Sequence, residues 1–280
     1  MVIELKYSNT NTYLVKGEDG FLLFDTAWAG TLPLFFQALG EANVRTDEIK
    51  CLLISHFHPD HMGIAENIAE LGIPIVVFDV QKEFVHFADS IFEKNFLPIR
   101  DENIEYVSLR ESREYLRRLG FAGEVFHTPG HSDDSISLLM DSGELFVGDL
   151  NPLYELELHQ GNEIGKSWDM LLSKNPKKVY YGHAKTAILT DDVNDSKTYS
   201  EADDTKKNAN NTVAAKGSGA ARYSLVKQIM KYIDKGYGLE KIQKKTKADA
   251  VLIEDVTRMY LTHPNVSVQG ILDRIEIKNK

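Results

Sequence analysis

The run Ser55-His56-Phe57-His58-Pro59-Asp60-His61-Met62-Gly63 places four side chains able to bind a metal within six positions. It follows an apolar stretch at 49–55 (Ile-Lys-Cys-Leu-Leu-Ile-Ser) that reads as a buried strand, and it leads into a predicted helix at 63–71. In extended chain His56 and His58 point the same way, because strand side chains alternate with period two. Asp60 and His61, at the turn into the helix, face a second position nearby. Imidazole nitrogens with a carboxylate oxygen suit Zn²⁺, and also Fe or Mn. A metal site closes with three or four protein ligands. A chain carrying this motif therefore has to fold so that distant segments arrive at the same turn.

Three further candidates stand at the ends of predicted strands. His131 lies in His127-Thr128-Pro129-Gly130-His131-Ser132, Asp149 in Phe146-Val147-Gly148-Asp149-Leu150, and His183 in Tyr180-Tyr181-Gly182-His183. A glycine precedes each polar residue, and glycine lets the backbone approach closely and present the next side chain at a strand edge.

The order His-x-His-x-Asp-His, then Pro-Gly-His, Gly-Asp and Gly-His, resembles the binuclear metallo-β-lactamase superfamily over roughly residues 1–190, with glyoxalase II and the lactonases among its members. The resemblance implies an α/β fold, an αββα sandwich with the site at one edge of two sheets. It implies that His56, His58 and His131 hold a first metal, that Asp60, His61 and His183 hold a second, and that Asp149 bridges both. Asp25, in Phe24-Asp25-Thr26, matches the family's acidic residue near the site and is expected to support a ligand rather than to be one. The cofactors so implied are two divalent metal ions, Zn foremost, with Fe or Mn as alternatives. The implied enzyme is a hydrolase in which a metal-bridging hydroxide cleaves a small ester, thioester, lactone or phosphodiester, with Asp60 as catalytic proton handler. The lack of a Gly-x-Ser-x-Gly elbow fits chemistry without a protein nucleophile. Two other readings stay open: a mononuclear-iron persulfide dioxygenase of the same fold, and a non-catalytic or regulatory metal-binding protein with a helix-turn-helix-like tail.

Around these residues the sequence is less specific. Residues 151–164 are expected to line the pocket, with Tyr154 and His159 as candidate substrate contacts. Ser132-Asp133-Asp134-Ser135 stands where related thioester and lactone hydrolases carry Thr-x-Gly-His, and its carboxylates read as a solvated turn capping the next strand. His86, His127 and His263 read as structural or solvated, and Cys51 as a small core residue.

Predicted strands at 2–7, 12–16, 21–25, 49–55, 75–78, 124–127, 135–140, 144–147 and 179–181 interleave with helices at 32–42, 63–71, 81–92, 111–119 and 168–172, which suggests sheets covered by helices. This catalytic region spans 1–190. A polar linker or surface excursion is expected at 191–222, and a small all-helical extension at 223–280. Over 280 residues the net charge is −10, which argues against a general nucleic-acid binder. Residues 223–280 nevertheless carry 11 Lys and Arg against 7 Asp and Glu. Their helix-turn-helix-like spacing leaves a DNA contact, a lid or a homodimer element open. A single cysteine excludes an internal disulfide and a thiolate-rich metal site. No apolar run approaches the ~20 residues of a membrane span, and no basic leader precedes an apolar run. A cytoplasmic protein acting on a small molecule, with no membrane partner, is the expectation.

Overall fold

Alternation along short strands sets the architecture of the first half of the chain. In Thr12–Lys16, Tyr13 and Val15 face one layer and Leu14 the other; in Phe21–Phe24, Leu22 and Phe24 oppose Phe21 and Leu23. Cys51 and Leu53 oppose Leu52 in the same manner. All of these are buried, so both faces of the strands are covered, as strands of a parallel sheet inside an α/β fold require.

The computed structural model describes residues 1–280 except 88, 90–94, 190–198, 202–218, 234, 236, 263–267, 269, 270, 273, 274 and 276–280. The chain divides into two compact units, Met1–Glu201 and Ala202–Lys280. In the first unit, one six-stranded sheet runs β1 (Val2–Leu5), β2 (Thr12–Lys16), β3 (Phe21–Phe24), β4 (Ile49–Leu53), β5 (Ile75–Phe78), β6 (Ile104–Val107), neighbours in chain order. Its first three strands are antiparallel and the rest parallel. The crossovers carry α1 (Leu32–Glu41), then α2 (Pro59–Met62) and α3 (Ala65–Ala69). After α4 (Ser112–Arg118), the second six-stranded sheet runs β7 (Gly123–His127), β8 (Ile136–Met140), β9 (Glu144–Phe146), β10 (Lys178–Tyr180), β11 (Ala187–Leu189), β12 (Tyr199–Glu201). Here only β9 and β10 are parallel, joined through α5 (Glu163–Leu172).

Three apolar layers hold these elements. Tyr13, Phe24, Cys51 and Leu53 meet Val125, Leu138, Phe146 and Tyr180 between the sheets. Leu14, Leu23 and Leu52 pack under Phe35 of α1 and Ile68 of α3, while Leu145 and Val179 pack under Trp168 and Leu171 of α5. The result is the αββα sandwich the sequence led us to expect.

Several elements differ from the sequence reading. Of the helix expected at 81–92, residues 88 and 90–92 lie outside the described residues, and to residue 87 the chain is not helical: Asp79–Gln81 is a 3-10 turn followed by further turns. Gln81 is buried and donates from Nε2 to Ile54 O at 2.8 Å, which ties the segment to the end of β4 instead of letting a helix propagate. Strand β6 has only partly buried apolar residues, Ile104 packed on the layer under α1 and α3 and Val107 on the layer between the sheets, while Glu105 and Tyr106 are exposed; it pairs in parallel with β5. Strands β11 and β12 were not foreseen either. Helix α5 begins at Glu163, five positions before the apolar spacing begins, because Asn162 caps it by accepting from Gly165 N at 3.0 Å.

The second unit contains α6 (Gly219–Ile233), α7 (Leu239–Thr246) and α8 (Ala250–Thr262) around Val226, Ile229, Ile242, Ile253, Val256 and Met259. Helices α7 and α8 are joined by a turn through Lys247, whose φ of 55° is left-handed. Most of the expected linker at 191–222, most of the expected helical extension beyond residue 262, and His263 lie outside the described residues. Among the described residues, no helix is long and apolar enough to cross a membrane.

Phe146 stacks on Tyr180 with centroids 4.8 Å apart and meets Tyr13 edge-on at 5.4 Å. Phe146→Ala should therefore lower stability in urea unfolding by about 3–5 kcal/mol, the usual loss for a buried aromatic. Burial, with the Glu105 charge adding to it, pushes the Cys51 thiol up to about 12. Below that pH the folded chain keeps its thiol protonated and enclosed, so a thiol reagent at pH 8 should label Cys51 only after denaturant is added.

Candidate metal centre

Strand β4 ends at Leu53, and the chain then turns through Ser55 and His56 into α2, which opens at Pro59. Proline suits a first helical turn because its missing N–H would have no helical partner there. This turn buries His56, Asp60 and His61, each 1 % exposed or less, at the rim of the first sheet. The second sheet supplies His131 after β7, Asp149 after β9 and His183 after β10.

All seven predicted ligands come together. His56, His58 and His131 form one group able to hold a metal ion, and Asp60, His61 and His183 form another. Asp149 faces both. Its Oδ2 lies 3.6 Å from His131 Nε2, and its Oδ1 lies 3.3 Å from His61 Nε2 and 3.3 Å from His183 Nε2. Across the first group His131 Nε2 is 3.1 Å from His58 Nδ1; across the second His183 Nε2 is 3.0 Å from Asp60 Oδ2.

The donor chemistry fits a divalent cation. His56 Nδ1 pairs with Ser55 Oγ at 2.9 Å, His61 Nδ1 with Asp25 Oδ2 at 2.9 Å, and His183 Nδ1 with Asn9 O at 2.9 Å. The opposite nitrogens, Nε2 of His56, His61 and His183, are buried without a hydrogen bond of good geometry, although those of His61 and His183 lie within 3.3 Å of the Asp149 and Asp60 carboxylates. One ring nitrogen anchored and the other aimed at a common point is the arrangement of metal-ligating histidine. Burial, then the neighbouring His61, His58 and His131, lowers the basicity of His56, so this ring is neutral at pH 7 and able to ligate. Around His61, burial is outweighed by the carboxylates of Asp149, Asp25 and Asp60, and its basicity rises well above normal. Burial pushes Asp60 and Asp149 upward, but His61 and His183 outweigh it in both, and both carboxyls fall below the usual range. Three buried carboxylates converging on one imidazole leave negative charge that a divalent cation would neutralise.

Two glycines make the approach possible. Gly148 has φ of 56°, and a Cβ there would lie 2.4 Å from Ser55 Oγ. At Gly182 a Cβ would lie 2.7 Å from Asp149 Oδ1 and 2.7 Å from His61 Cε1. Asp25 accepts from Ser55 N at 2.6 Å as well as meeting His61, and does so from a left-handed backbone with φ of 62° that aspartate tolerates better than most residues.

Some residues that shape the site were not singled out in the sequence. Asn9 holds His183 by its carbonyl, while Asn11 grips the same loop, donating from Nδ2 to Tyr181 O at 3.0 Å and to Ala184 O at 3.1 Å. The half-exposed ring of Phe87 lies 5.9 Å from the His58 ring. Asp134, read in the sequence as part of a solvated turn, is 1 % exposed and accepts from Phe57 N at 2.6 Å. Asp133 beside it is exposed. Of the candidate substrate contacts, Tyr154 is 64 % exposed and His159 Nδ1 meets Asn162 Nδ2 at 3.1 Å, both on or beside the 3-10 helix Leu153–His159. Neither belongs to a metal-capable group.

The sequence profile described as the metallo-beta-lactamase superfamily matches residues 6–183. Beta-lactamase-like protein 2 homolog from Drosophila melanogaster is 28% identical over 182 residues, 62% of this chain and 58% of that protein. Atrochrysone carboxyl ACP thioesterase from Claviceps purpurea (strain 20.1) is 26% identical over 149 residues, 51% of this chain and 40% of that protein. The match thus spans less than two thirds of either relative. Among solved structures, BLEG-1 B3 metallo-beta-lactamase has a TM-score of 0.53 at 20% identity, covering 67% of this chain and 94% of that one, a likeness of fold.

Gly182→Ala would drive a methyl group into Asp149 and His61. Bound metal, measured by equilibrium dialysis and elemental analysis, should weaken by about 10–100-fold, the loss that follows when a ligand's support is removed.

Proposed function

This chain belongs to the metallo-beta-lactamase superfamily, and on that premise we propose that it is a two-metal hydrolase of a small ester, thioester, lactone or phosphodiester. The observation that carries the reading is that seven buried or half-buried side chains fall into three overlapping metal-capable groups, the one of His56, His61 and Asp149 joining the other two, with Asp149 facing both sides. His56, His58 and His131 would hold one ion, Asp60, His61 and His183 the other, and Asp149 would touch each. Zn²⁺ suits this nitrogen-rich donor set best, with Fe or Mn as alternatives. A metal pair so held supplies an activated water near neutral pH and a Lewis acid for the attacked oxygen.

The chain's own residues do the rest. Asp60, whose buried carboxylate lies 3.0 Å from His183 Nε2 in the second group, is the residue we assign to proton handling. Asp25 and Asn9 hold His61 and His183 in fixed orientation, which keeps the donor set preorganised. The half-exposed Phe87 ring beside His58 offers an apolar surface for a substrate's acyl or aromatic group. A substrate with an apolar group next to its scissile bond fits this side, and a thioesterase among the relatives is consistent with it. The partner is a small molecule; a homodimer through the helical unit is part of the same proposal.

The test is a panel of ester, thioester, lactone and phosphodiester substrates run on protein of measured metal content. About two metals per chain with turnover of at least one class is expected. Asp149→Ala should lose both full loading and turnover, and Asp60→Asn should lower kcat by about 10²–10⁴-fold, the range for removing a proton-transfer group. One iron per chain with oxygen uptake on a persulfide would replace this reading with a dioxygenase. Full loading without turnover on any class would leave a metal-binding regulatory role.

A further inference from the structure

Two buried carboxylates grip the metal-binding turn, one from each sheet. Asp25, at the end of β3, accepts from Ser55 N at 2.6 Å and meets His61 Nδ1 at 2.9 Å. Asp134, three positions after His131, accepts from Phe57 N at 2.6 Å, the amide that lies between His56 and His58. We propose that Asp134 is a positioning residue for the first metal group, fixing His58 against His131, as Asp25 fixes the second group through His61. This rests on the two-metal reading above.

Three observations support the assignment. First, Asp134 is anchored before it reaches across. His127 Nε2 meets Asp133 O at 2.8 Å, Ser132 Oγ meets Ser135 Oγ at 2.7 Å, and Thr128 N donates to Ser135 O at 2.9 Å. These bonds brace the 131–135 turn, so the carboxylate is held rather than free to rotate into solvent. Second, the contact joins the sheets at the metal loop itself. Beside it Ile136 N donates to Ser55 O at 2.8 Å, giving a second tie between the same two segments. Third, burying a carboxylate is costly unless strong hydrogen bonds compensate it. A turn that needed only a strand cap could use serine or asparagine at the surface. The 1 % exposure of Asp134 is explained if its bond to Phe57 N sets where His56 and His58 point.

The experiment is a stepwise Co²⁺ titration of metal-free full-length protein, followed by visible absorption and by competition with a chelator. The parent should fill two spectrally distinct sites; if it does not, the two-metal reading fails before Asp134 is in question. Asp134→Ala should weaken one site by about 10–100-fold and change its absorption band while the other titrates as in the parent. Asp25→Ala should weaken the opposite site. Asp134→Asn keeps an acceptor for Phe57 N–H and should recover most of the lost affinity. Unchanged loading of Asp134→Ala would overturn the proposal. So would equal loss at both sites, failure of the Asn variant to rescue, or its unfolding, each of which assigns Asp134 to general packing.

Discussion

Crowding of ionisable groups in a nearly dry place is the constraint around which this molecule is arranged. His56, Asp60 and His61 are all but inaccessible, and His58, His131, Asp149 and His183 stand against them. Left alone, such a cluster pulls its members in opposite directions. His56 is driven towards neutrality by burial and by its fellow imidazoles, whereas His61 is driven towards its charged form by three carboxylates. Groups that disagree in this way stay together only if the surrounding fold leaves them no alternative. The sandwich supplies that rigidity. Its apolar layers, with Phe146, Tyr180 and Tyr13 in ring contact a few residues from Asp149 and His183, hold the strand ends from which the polar side chains project.

Both sheets are needed, and the ties run both ways between them. The first sheet reaches out through Asn9 and Asn11 to the His183 loop, and Tyr13 donates its hydroxyl to Tyr181 O at 2.7 Å. The second sheet reaches back through Asp134 and Ile136 to the turn that carries His56 and His58. These are charge-assisted or buried bonds, stronger than their exposed counterparts. Asn11 and Asp134 make their ties through short side chains, which lose little entropy and reach a backbone group only when the two loops are in register.

What could be read in the sequence followed from local rules. Short apolar runs bounded by turns located nine of the strands, and the metal-capable side chains declared themselves by type and spacing, three of them also by the glycine before them. What could not be read depended on partners far away in the chain. Strand β6 puts an exposed Glu105 and Tyr106 between two partly buried apolar residues, Ile104 and Val107, a pattern too short and mixed to read before its pairing with β5 is seen. The segment after β5 has helical spacing, yet its described residues to 87 run as turns, with the Gln81 side chain bound to Ile54 O. Asp134 gives no local sign of its burial, because the amide it serves belongs to Phe57, 77 positions earlier. Phe87 looks like any helix-face aromatic until its ring is found beside His58.

The separation of the candidate ligands along the chain also has a consequence in time. His183 comes 122 positions after His61. At ordinary rates of synthesis, ~5–20 residues per second, roughly 6–24 s pass between the two. Over most of that interval the His56–His61 turn stands without the donors of the second sheet, and Asp149 emerges 88 positions after His61. A metal held as proposed would therefore be enclosed only once the last strands of the second sheet have been made.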